Sequence, residues 1–188
     1  MRTSACLLHL LVAALLLAAS LPLPASSIPG HYYSATRMLE ANPRLAALVG
    51  TDRAAYLAGS AGPDVAFVAS DREDRTSAGA ESHYDRTGDL CMGFLKEART
   101  PQERAFALGW ITHWITDQAI HSLVNDFGGC WDTPAQRPRH SQLEVVEVKH
   151  VYSLRASVLG LQGLVLSSQD VPVGFMRRAF GATYNKPA

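Results

Sequence analysis

Residues 106–125 constrain this chain most, because they combine a strongly apolar composition with polar side chains at helical spacing. His113, Asp117 and His121 follow one another at intervals of four residues. Residues four apart are neighbours on one face of an α-helix, and over eight residues the drift around the axis is only about 80°. The three side chains therefore line one edge of a predicted helix, and each of them can bind a metal ion.

The rest of this helix is apolar, which predicts that most of it is buried. Its apolar residues are Phe106, Leu108, Trp110, Ile111, Trp114, Ile115 and Ile120. Two imidazoles and one carboxylate in a buried seam need partners. Hydrogen bonds from the core could satisfy them, but a metal ion satisfies all three at once, and we favour that interpretation.

A second pair of ligand-type side chains, His140 and Glu144, is also spaced by four residues. The pair lies on a helix predicted at residues 139–166, which is apolar as well. Its neighbouring apolar residues are Leu143, Val145, Val146 and Val148. Two such pairs on two apolar helices are difficult to explain as solvated faces, so the second pair strengthens the prediction of a metal site.

Three further candidates stand alone in the sequence, and each has a simpler explanation. His31 could be a surface residue near a frayed end, Asp64 could be a turn residue after a Gly-Pro pair, and His83 could be solvated. Together with the two spaced sets they form a group of imidazoles and carboxylates without cysteine. Such a group suits zinc without excluding manganese or iron, and export favours zinc.

Capping residues and breakers divide the remaining chain into helices and loops. The predicted helix starts are Asn42–Pro43, Thr51 or Asp52, Asp89, and the Thr100–Pro101–Glu103 capping box. The predicted helices are residues 32–39, a short segment after 43, a segment running towards 57, and residues 90–99, 101–125, 139–166 and 173–180. Residues 59–64 and the polar residues 69–87, which include His83, are predicted as loops. The fold class is all-α, because no segment alternates as a strand does.

The N-terminus has the pattern of a secretory signal peptide over residues 1–27. Arg2 gives a positive start, residues 6–19 are apolar except for one histidine, and small residues follow. This run is too short for a spanning helix, although an uncleaved anchor is the alternative. We therefore expect a secreted or periplasmic protein of residues 28–188, in which Cys91 and Cys130 could form one disulfide.

Size and charge fit one globular domain. The chain has 188 residues, 47% of them hydrophobic and 18% charged, and a formal net charge of zero. It lacks the basic surplus that marks a nucleic-acid groove, which disfavours nucleic acid as the partner.

The order and spacing of these residues resemble the zinc-dependent phospholipase C family. The matching elements are His31, Gly-Pro-Asp64, His83, His113-x3-Asp117-x3-His121 and His140-x3-Glu144. The wider superfamily includes the single-strand-specific zinc nucleases and the N-terminal domain of glycosylphosphatidylinositol-specific phospholipase D. The resemblance implies a multi-helix fold around a buried metal cluster, with fewer C-terminal helices than secreted bacterial-type members carry.

The resemblance also implies a ligand set for three zinc ions, with two as the alternative. One ion would be held by Asp64, His83, His113 and Asp117. Asp117 would bridge to a second ion, held also by His31 and by the terminal amine and first carbonyl of the mature chain. The third ion would be held by His121, His140 and Glu144.

The implied activity is hydrolysis of phospholipids by a zinc-bound hydroxide, with Asp64 orienting the water or taking its proton. The substrate would be a phospholipid or another phosphodiester, reached through transient contact with a membrane surface. Glu144 favours the lipase branch, because the nucleases used for comparison have aspartate there. A single-strand nuclease, a phospholipase D-type activity and a non-catalytic metal-stabilised module remain alternatives.

Overall fold

The computed structural model describes residues 28–68, 78–131, 133–155 and 171–185, so the predicted signal peptide lies outside it. Its helices are α1 (Ile28–Ala41), α2 (Pro43–Val49), α3 (Arg53–Val68), α4 (Ala78–Tyr84), α5 (Thr87–Glu97), α6 (Pro101–Gly128), α7 (Arg137–Arg155) and α8 (Val173–Tyr184). The described residues contain no strand. The predicted all-α class is therefore confirmed. Among these helices, none is both long and apolar enough to cross a membrane.

The packing of α3 against α6 is the most extensive contact between helices, and glycines on both helices allow it. A Cβ atom at Gly59 would collide with the carbonyl oxygen of Phe106. A Cβ atom at Gly109 would collide with the carbonyl oxygen of Tyr56. The two backbones therefore lie closer than any larger residue permits, which brings the polar residues of α3 against those of α6.

An aromatic core lies at the N-terminal end of α6. Phe94 of α5 packs on Trp110 with ring centroids 4.6 Å apart, and on Phe175 of α8 at 5.2 Å. Phe106 is also fully buried in this cluster. Phe106 and Trp110 therefore form the core at this end of α6. The prediction that most of the helix is buried holds mainly for its N-terminal half, because Ile115, farther along, is 48% exposed.

Two helix starts formed as the sequence predicted. The Asn42 side chain accepts a hydrogen bond from Leu45 N at 3.0 Å, and Pro43 is at the first helical position. The Thr100 hydroxyl accepts one from Glu103 N at 3.1 Å. The Glu103 carboxylate accepts one from Arg99 N at 2.7 Å, which completes a capping arrangement one residue earlier than expected.

The predicted loop at residues 59–64 is wrong, because this segment belongs to α3. Its glycines allow the close packing against α6, and Pro63 lies inside the helix. The prediction treated glycine and proline as local turn signals, whereas here tertiary contacts set the conformation. As part of this helix, the candidate ligand Asp64 is fully buried and not exposed in a loop.

The predicted polar loop at residues 69–87 is wrong in its second half, since Ala78–Tyr84 forms α4. Residues 69–77 lie outside the described residues.

The next helix, α5, begins at Thr87 and is not capped by Asp89, in contrast to the prediction. Its N-cap is Arg86, in a left-handed conformation with φ of 50°. Asp89 instead accepts a hydrogen bond from Arg86 Nε at 2.9 Å.

The C-terminal ends of α6 and α8 differ from the predicted ones, and the predicted end of α7 lies outside the described residues. Helix α6 continues to Gly128, three residues past Asn125, and Gly129 caps it with φ of 83°. Helix α7 runs to Arg155, and the remainder of the prediction, to residue 166, lies outside the described residues. Helix α8 begins at Val173 as predicted and continues to Tyr184.

The cysteines are not joined, in contrast to the suggested disulfide. Cys91 is buried in α5, and Cys130 is exposed after α6. Both are free cysteines in this structure.

Candidate metal centre

The eight candidate ligands come from five helices and meet in one region of the molecule. They are His31 of α1, Asp64 of α3, His83 of α4, His113, Asp117 and His121 of α6, and His140 and Glu144 of α7. They form three groups, each with ligand atoms within 4.8 Å of one another: His31 with His113 and Asp117; Asp64 with His83 and His113; and His121 with His140 and Glu144. The lone candidates are thus neither solvated nor in turns.

Asp64 is the buried carboxylate that three histidines surround. Its Oδ1 atom lies 3.3 Å from His83 Nε2 and 3.9 Å from His113 Nε2. Its Oδ2 atom lies 3.7 Å from His31 Nε2. Neither carboxylate oxygen has a hydrogen-bond partner among the described residues.

Asp117 occupies the middle of the cluster, where its two oxygens face the same three histidines and also His121. Its Oδ1 atom lies 3.3 Å from His31 Nε2 and 3.6 Å from His121 Nε2. Its Oδ2 atom lies 3.7 Å from His113 Nε2 and 3.8 Å from His83 Nε2. A carboxylate in this position has the geometry needed to bridge two ions.

Backbone carbonyls fix the orientations of three of the histidine rings, each through one hydrogen bond. Nδ1 of His113 donates to Ser60 O at 2.9 Å, Nδ1 of His83 to Gly79 O at 2.8 Å, and Nδ1 of His140 to Gly129 O at 2.7 Å. A carbonyl oxygen only accepts, so each neutral ring carries its proton on Nδ1 and presents an Nε2 lone pair. Metal-binding histidines are commonly oriented in this way.

With these ring orientations, lone pairs of neighbouring side chains face each other, which is electrostatically unfavourable unless a cation lies between them. Nε2 of His83 and Nε2 of His113 are 3.2 Å apart, and two lone pairs at that distance repel each other unless a proton or an ion lies between them. The same holds where His140 Nε2 lies 2.9 Å from Glu144 Oε1. Divalent cations would remove both repulsions.

Buried polar atoms without hydrogen bonds also fit metal binding. Both ring nitrogens of His31, both oxygens of Asp64, Asp117 Oδ1 and His140 Nε2 are buried and have no hydrogen-bond partner among the described residues. Such atoms are uncommon in native proteins, and an ion is one of the explanations for them. The donors are nitrogen and oxygen only, a set that suits zinc.

The carboxylates respond in opposite directions to this environment. Burial raises the pKa of Asp64, and the nearby histidines only partly offset it. Burial also acts to raise the pKa of Asp117, but His31, His113 and His83 together hold that pKa well below its usual value. Asp117 is therefore the firmly ionised member of the pair.

The histidines divide in the same manner. Burial acts to lower the pKa of His83, but Asp64 and Asp117 raise it above its usual value. Burial lowers the pKa of His113 far below that value and lowers the pKa of His121 less strongly. His113 and His121 are therefore held neutral, which is the state that binds metal.

A surface pocket opens onto this cluster. It is lined by His83, Tyr84, Asp117, Gln118, His121, Asn125, Cys130 and Trp131. None of these described lining residues is lysine or arginine. Tyr84 and Trp131 give the pocket aromatic walls above a polar floor.

Sequence reasoning missed two features of the centre. It did not identify the carbonyls of Ser60, Gly79 and Gly129, because backbone groups leave no sequence signal. It also omitted Glu147, whose Oε2 atom is buried near the cluster. The signal for Glu147 was present, since it lies seven residues after His140, about two helical turns along the same face.

The fold and the site together define a helical protein with a buried histidine–carboxylate metal centre. The family model described as zinc dependent phospholipase C matches residues 29–158, which is more than half of the chain and includes all eight candidates. The chain belongs to the zinc-dependent phospholipase C family, as the sequence resemblance predicted. Searches of curated proteins and of solved structures found no significant match. The family and the clusters support zinc as the metal.

Proposed function

We propose that this protein is an exported zinc-dependent phosphodiesterase that hydrolyses phospholipids. The observation that carries the proposal is the convergence of Asp64 and Asp117 with four histidines beneath an open pocket. Family membership supports the hydrolase chemistry in general.

The ligand groups divide among three ions, with two as the alternative. Asp64, His83 and His113 would hold one, His31 and Asp117 a second, and His121, His140 and Glu144 a third. Bound zinc supplies positive charge that polarises a phosphate ester and lowers the pKa of water towards neutrality. The pocket has no other source of strong positive charge among its described lining residues.

Asp64 is our candidate for the catalytic carboxylate. Burial raises its pKa, so this carboxylate has a greater affinity for a proton than an exposed aspartate. It can therefore orient the attacking water or accept its proton. Asp117, whose pKa is lowered, would remain ionised and serve as a ligand throughout.

The pocket walls would position the substrate. Tyr84 lines the pocket and is 48% exposed, and Trp131 lines it with its ring packed edge-on against that of His140, the centroids 5.7 Å apart. The guanidinium of Arg137 lies 5.1 Å from the Trp131 ring centroid, and Arg137 Nε donates to Trp131 O at 3.1 Å. These contacts hold the indole at the pocket edge, where it can contact a head group during transient binding to a membrane surface.

A single-strand nuclease is the second candidate, and the same two aromatic side chains favour it. Nucleobases stack on tyrosine and tryptophan in sites that bind single strands. The neutral net charge argues against this reading, because such sites usually follow the backbone with a basic groove. A phospholipase D-type reaction and a non-catalytic metal-stabilised module are further alternatives.

Parallel assays decide among these functions. The zinc-loaded protein is incubated with phosphatidylcholine vesicles, phosphatidylinositol vesicles and single-stranded DNA. Our proposal predicts diacylglycerol from a lipid substrate, whereas phosphatidic acid indicates cleavage on the other side of the phosphate. Asp64→Asn should lower kcat by about 100-fold or more. Release of nucleotides alone would establish the nuclease, and no turnover of any substrate would favour the non-catalytic module.

Export is a separate proposal with its own test. It rests on the signal-peptide pattern of residues 1–27. N-terminal sequencing of the protein recovered outside the cytoplasm should give a start close to residue 28. Recovery of the chain in the cytoplasm with Met1 retained would contradict export and leave the proposed chemistry intact.

A further inference from the structure

Glu147 is a partly buried acid on the face of α7 that carries the third ligand group. It lies seven residues after His140 and three after Glu144. With about 3.6 residues per turn, these three side chains fall within roughly 60° of one another around the helix axis. Helix α7 also contacts α1, which carries His31. Glu147 is therefore directed towards the cluster, one turn beyond Glu144.

One carboxylate oxygen of Glu147, the Oε2 atom, is buried without a hydrogen bond from the part of the chain that the structure describes. Burial raises its pKa, His31 lowers it, and Asp117 and Asp64 raise it further. Glu147 thus lies within electrostatic range of three members of the metal centre. A buried carboxylate is unfavourable unless a cation or a donor satisfies it.

The group formed by His31, His113 and Asp117 is short of donors. His113 has only Nε2 to offer, because its Nδ1 donates to Ser60 O at 2.9 Å. That same nitrogen belongs to the group with Asp64 and His83. When His113 serves the second group, the first retains two protein ligands, whereas zinc in proteins is normally four-coordinate.

We propose that Glu147 is a further metal ligand, whose carboxylate completes the site formed by His31 and Asp117. Glu147 is not part of the three groups with ligand atoms within 4.8 Å, so its flexible side chain must turn towards His31 when the ion binds. The resemblance gives this position to the terminal amine and first carbonyl; Glu147 supplies a donor from within the fold. The proposal rests on zinc binding, not on the identity of the substrate.

The test compares zinc binding in matched variants of the full chain. Glu147→Gln preserves the shape of the side chain and removes its charge. Zinc per chain is measured by elemental analysis after gel filtration, and zinc affinity by competition with a chromophoric chelator. We expect Glu147→Gln to lose one ion relative to wild type, or to bind its weakest ion at least about tenfold less tightly. Lys149→Gln, an exposed position on the same helix, should behave as wild type.

The outcomes separate this inference from the proposed function. If wild type binds zinc and Glu147→Gln binds the same number with the same affinities, the inference is overturned while the metal centre stands. If wild type binds no zinc, both fail. If Glu147→Gln does not fold, Glu147→Asp replaces it, because it withdraws the carboxylate by one methylene. A weakened ion then supports the inference, and unchanged binding overturns it.

Discussion

The ring of His113 on α6 is fixed by Ser60 on α3, through a 2.9 Å hydrogen bond from Nδ1 to the Ser60 carbonyl. Asp64 lies one helical turn after Ser60, so a single segment of α3 supplies both a ligand and the acceptor that orients another ligand. The contact depends on the close approach of the two helices. The helix packing and the metal centre are therefore parts of one structural arrangement.

Gly109→Ala should strongly destabilise the protein, because the new methyl group would collide with the Tyr56 carbonyl. Overpacking of this kind costs about 1–3 kcal/mol or more of unfolding free energy. Gly174→Ala is the matched control, since nothing lies within 4 Å of its added Cβ. In a helix that control should be neutral or stabilising by up to about 1 kcal/mol. Urea denaturation measures both, and equal stabilities would contradict the close-packing account.

Zinc binding should release protons, and more of them at pH 6.5 than at pH 8. Burial acts to lower the pKa of His83, but Asp64 above all raises it above the usual histidine value. Part of the His83 population is therefore still protonated at a pH where an ordinary histidine is mostly neutral. Only the unprotonated ring binds zinc, so apparent affinity should fall as pH decreases. Calorimetry in two buffers of different ionisation enthalpy counts the protons. Affinity that rises as pH falls would refute this assignment.

A control for the proton count is available on α7. His150 is exposed and outside the cluster. His150→Ala should release the same number of protons as wild type, whereas His83→Ala should release fewer. Equal release from all three proteins would show that His83 is not deprotonated on binding.

The two cysteines described by the structure should differ greatly in reactivity. Burial raises the pKa of Cys91 to about 12, so its thiol should resist alkylation in the folded protein. Cys130 is exposed and lines the pocket, so it should react readily. Mass spectrometry after limited iodoacetamide treatment distinguishes the sites. Rapid labelling of Cys91 before Cys130, or a Cys91–Cys130 disulfide in the non-reduced protein, would be inconsistent with the structure.

Trp131→Ala should weaken substrate binding and leave zinc content unchanged, because the indole lines the pocket and contacts the ring of His140 without itself belonging to any ligand group. We expect KM to rise by about tenfold, which corresponds to roughly 1.4 kcal/mol of lost contact. Leu48→Ala is the control, an exposed apolar residue outside the pocket lining. A fall in bound zinc would instead place Trp131 among the supports of the metal centre.

The helices place the spaced candidates on shared faces, as the sequence predicted, because their spacing is a local property. His113, Asp117 and His121 share a face wherever the helix packs. Asp64 and His83 were different, since Asp64 could be explained as a turn residue and His83 as a solvated one, and both gained weight only from the order of the other candidates. Their burial is a property of the folded chain.

The wrong predictions share one physical cause. Gly59 in isolation indicates a turn, but in the structure its lack of a side chain allows the backbone of α3 to lie against the backbone of Phe106 on α6. The segment around His83 is polar, yet most of α4 is buried. Glu147 was overlooked although it lies three residues after Glu144 on the face of His140, because only the folded chain shows that its carboxylate is buried. Local signals do not contain these tertiary relationships.

Zinc content in wild type and in Asp117→Asn tests the central claim most directly. Asp117 lies within 3.8 Å of four histidine Nε2 atoms, so removing its charge should disrupt more than one ligand group. The account predicts two or three zinc ions per chain in wild type, fewer in Asp117→Asn, and a wild-type count in the exposed control Asp126→Asn. A wild-type protein without stoichiometric zinc, or an Asp117→Asn variant with the full count, would contradict it.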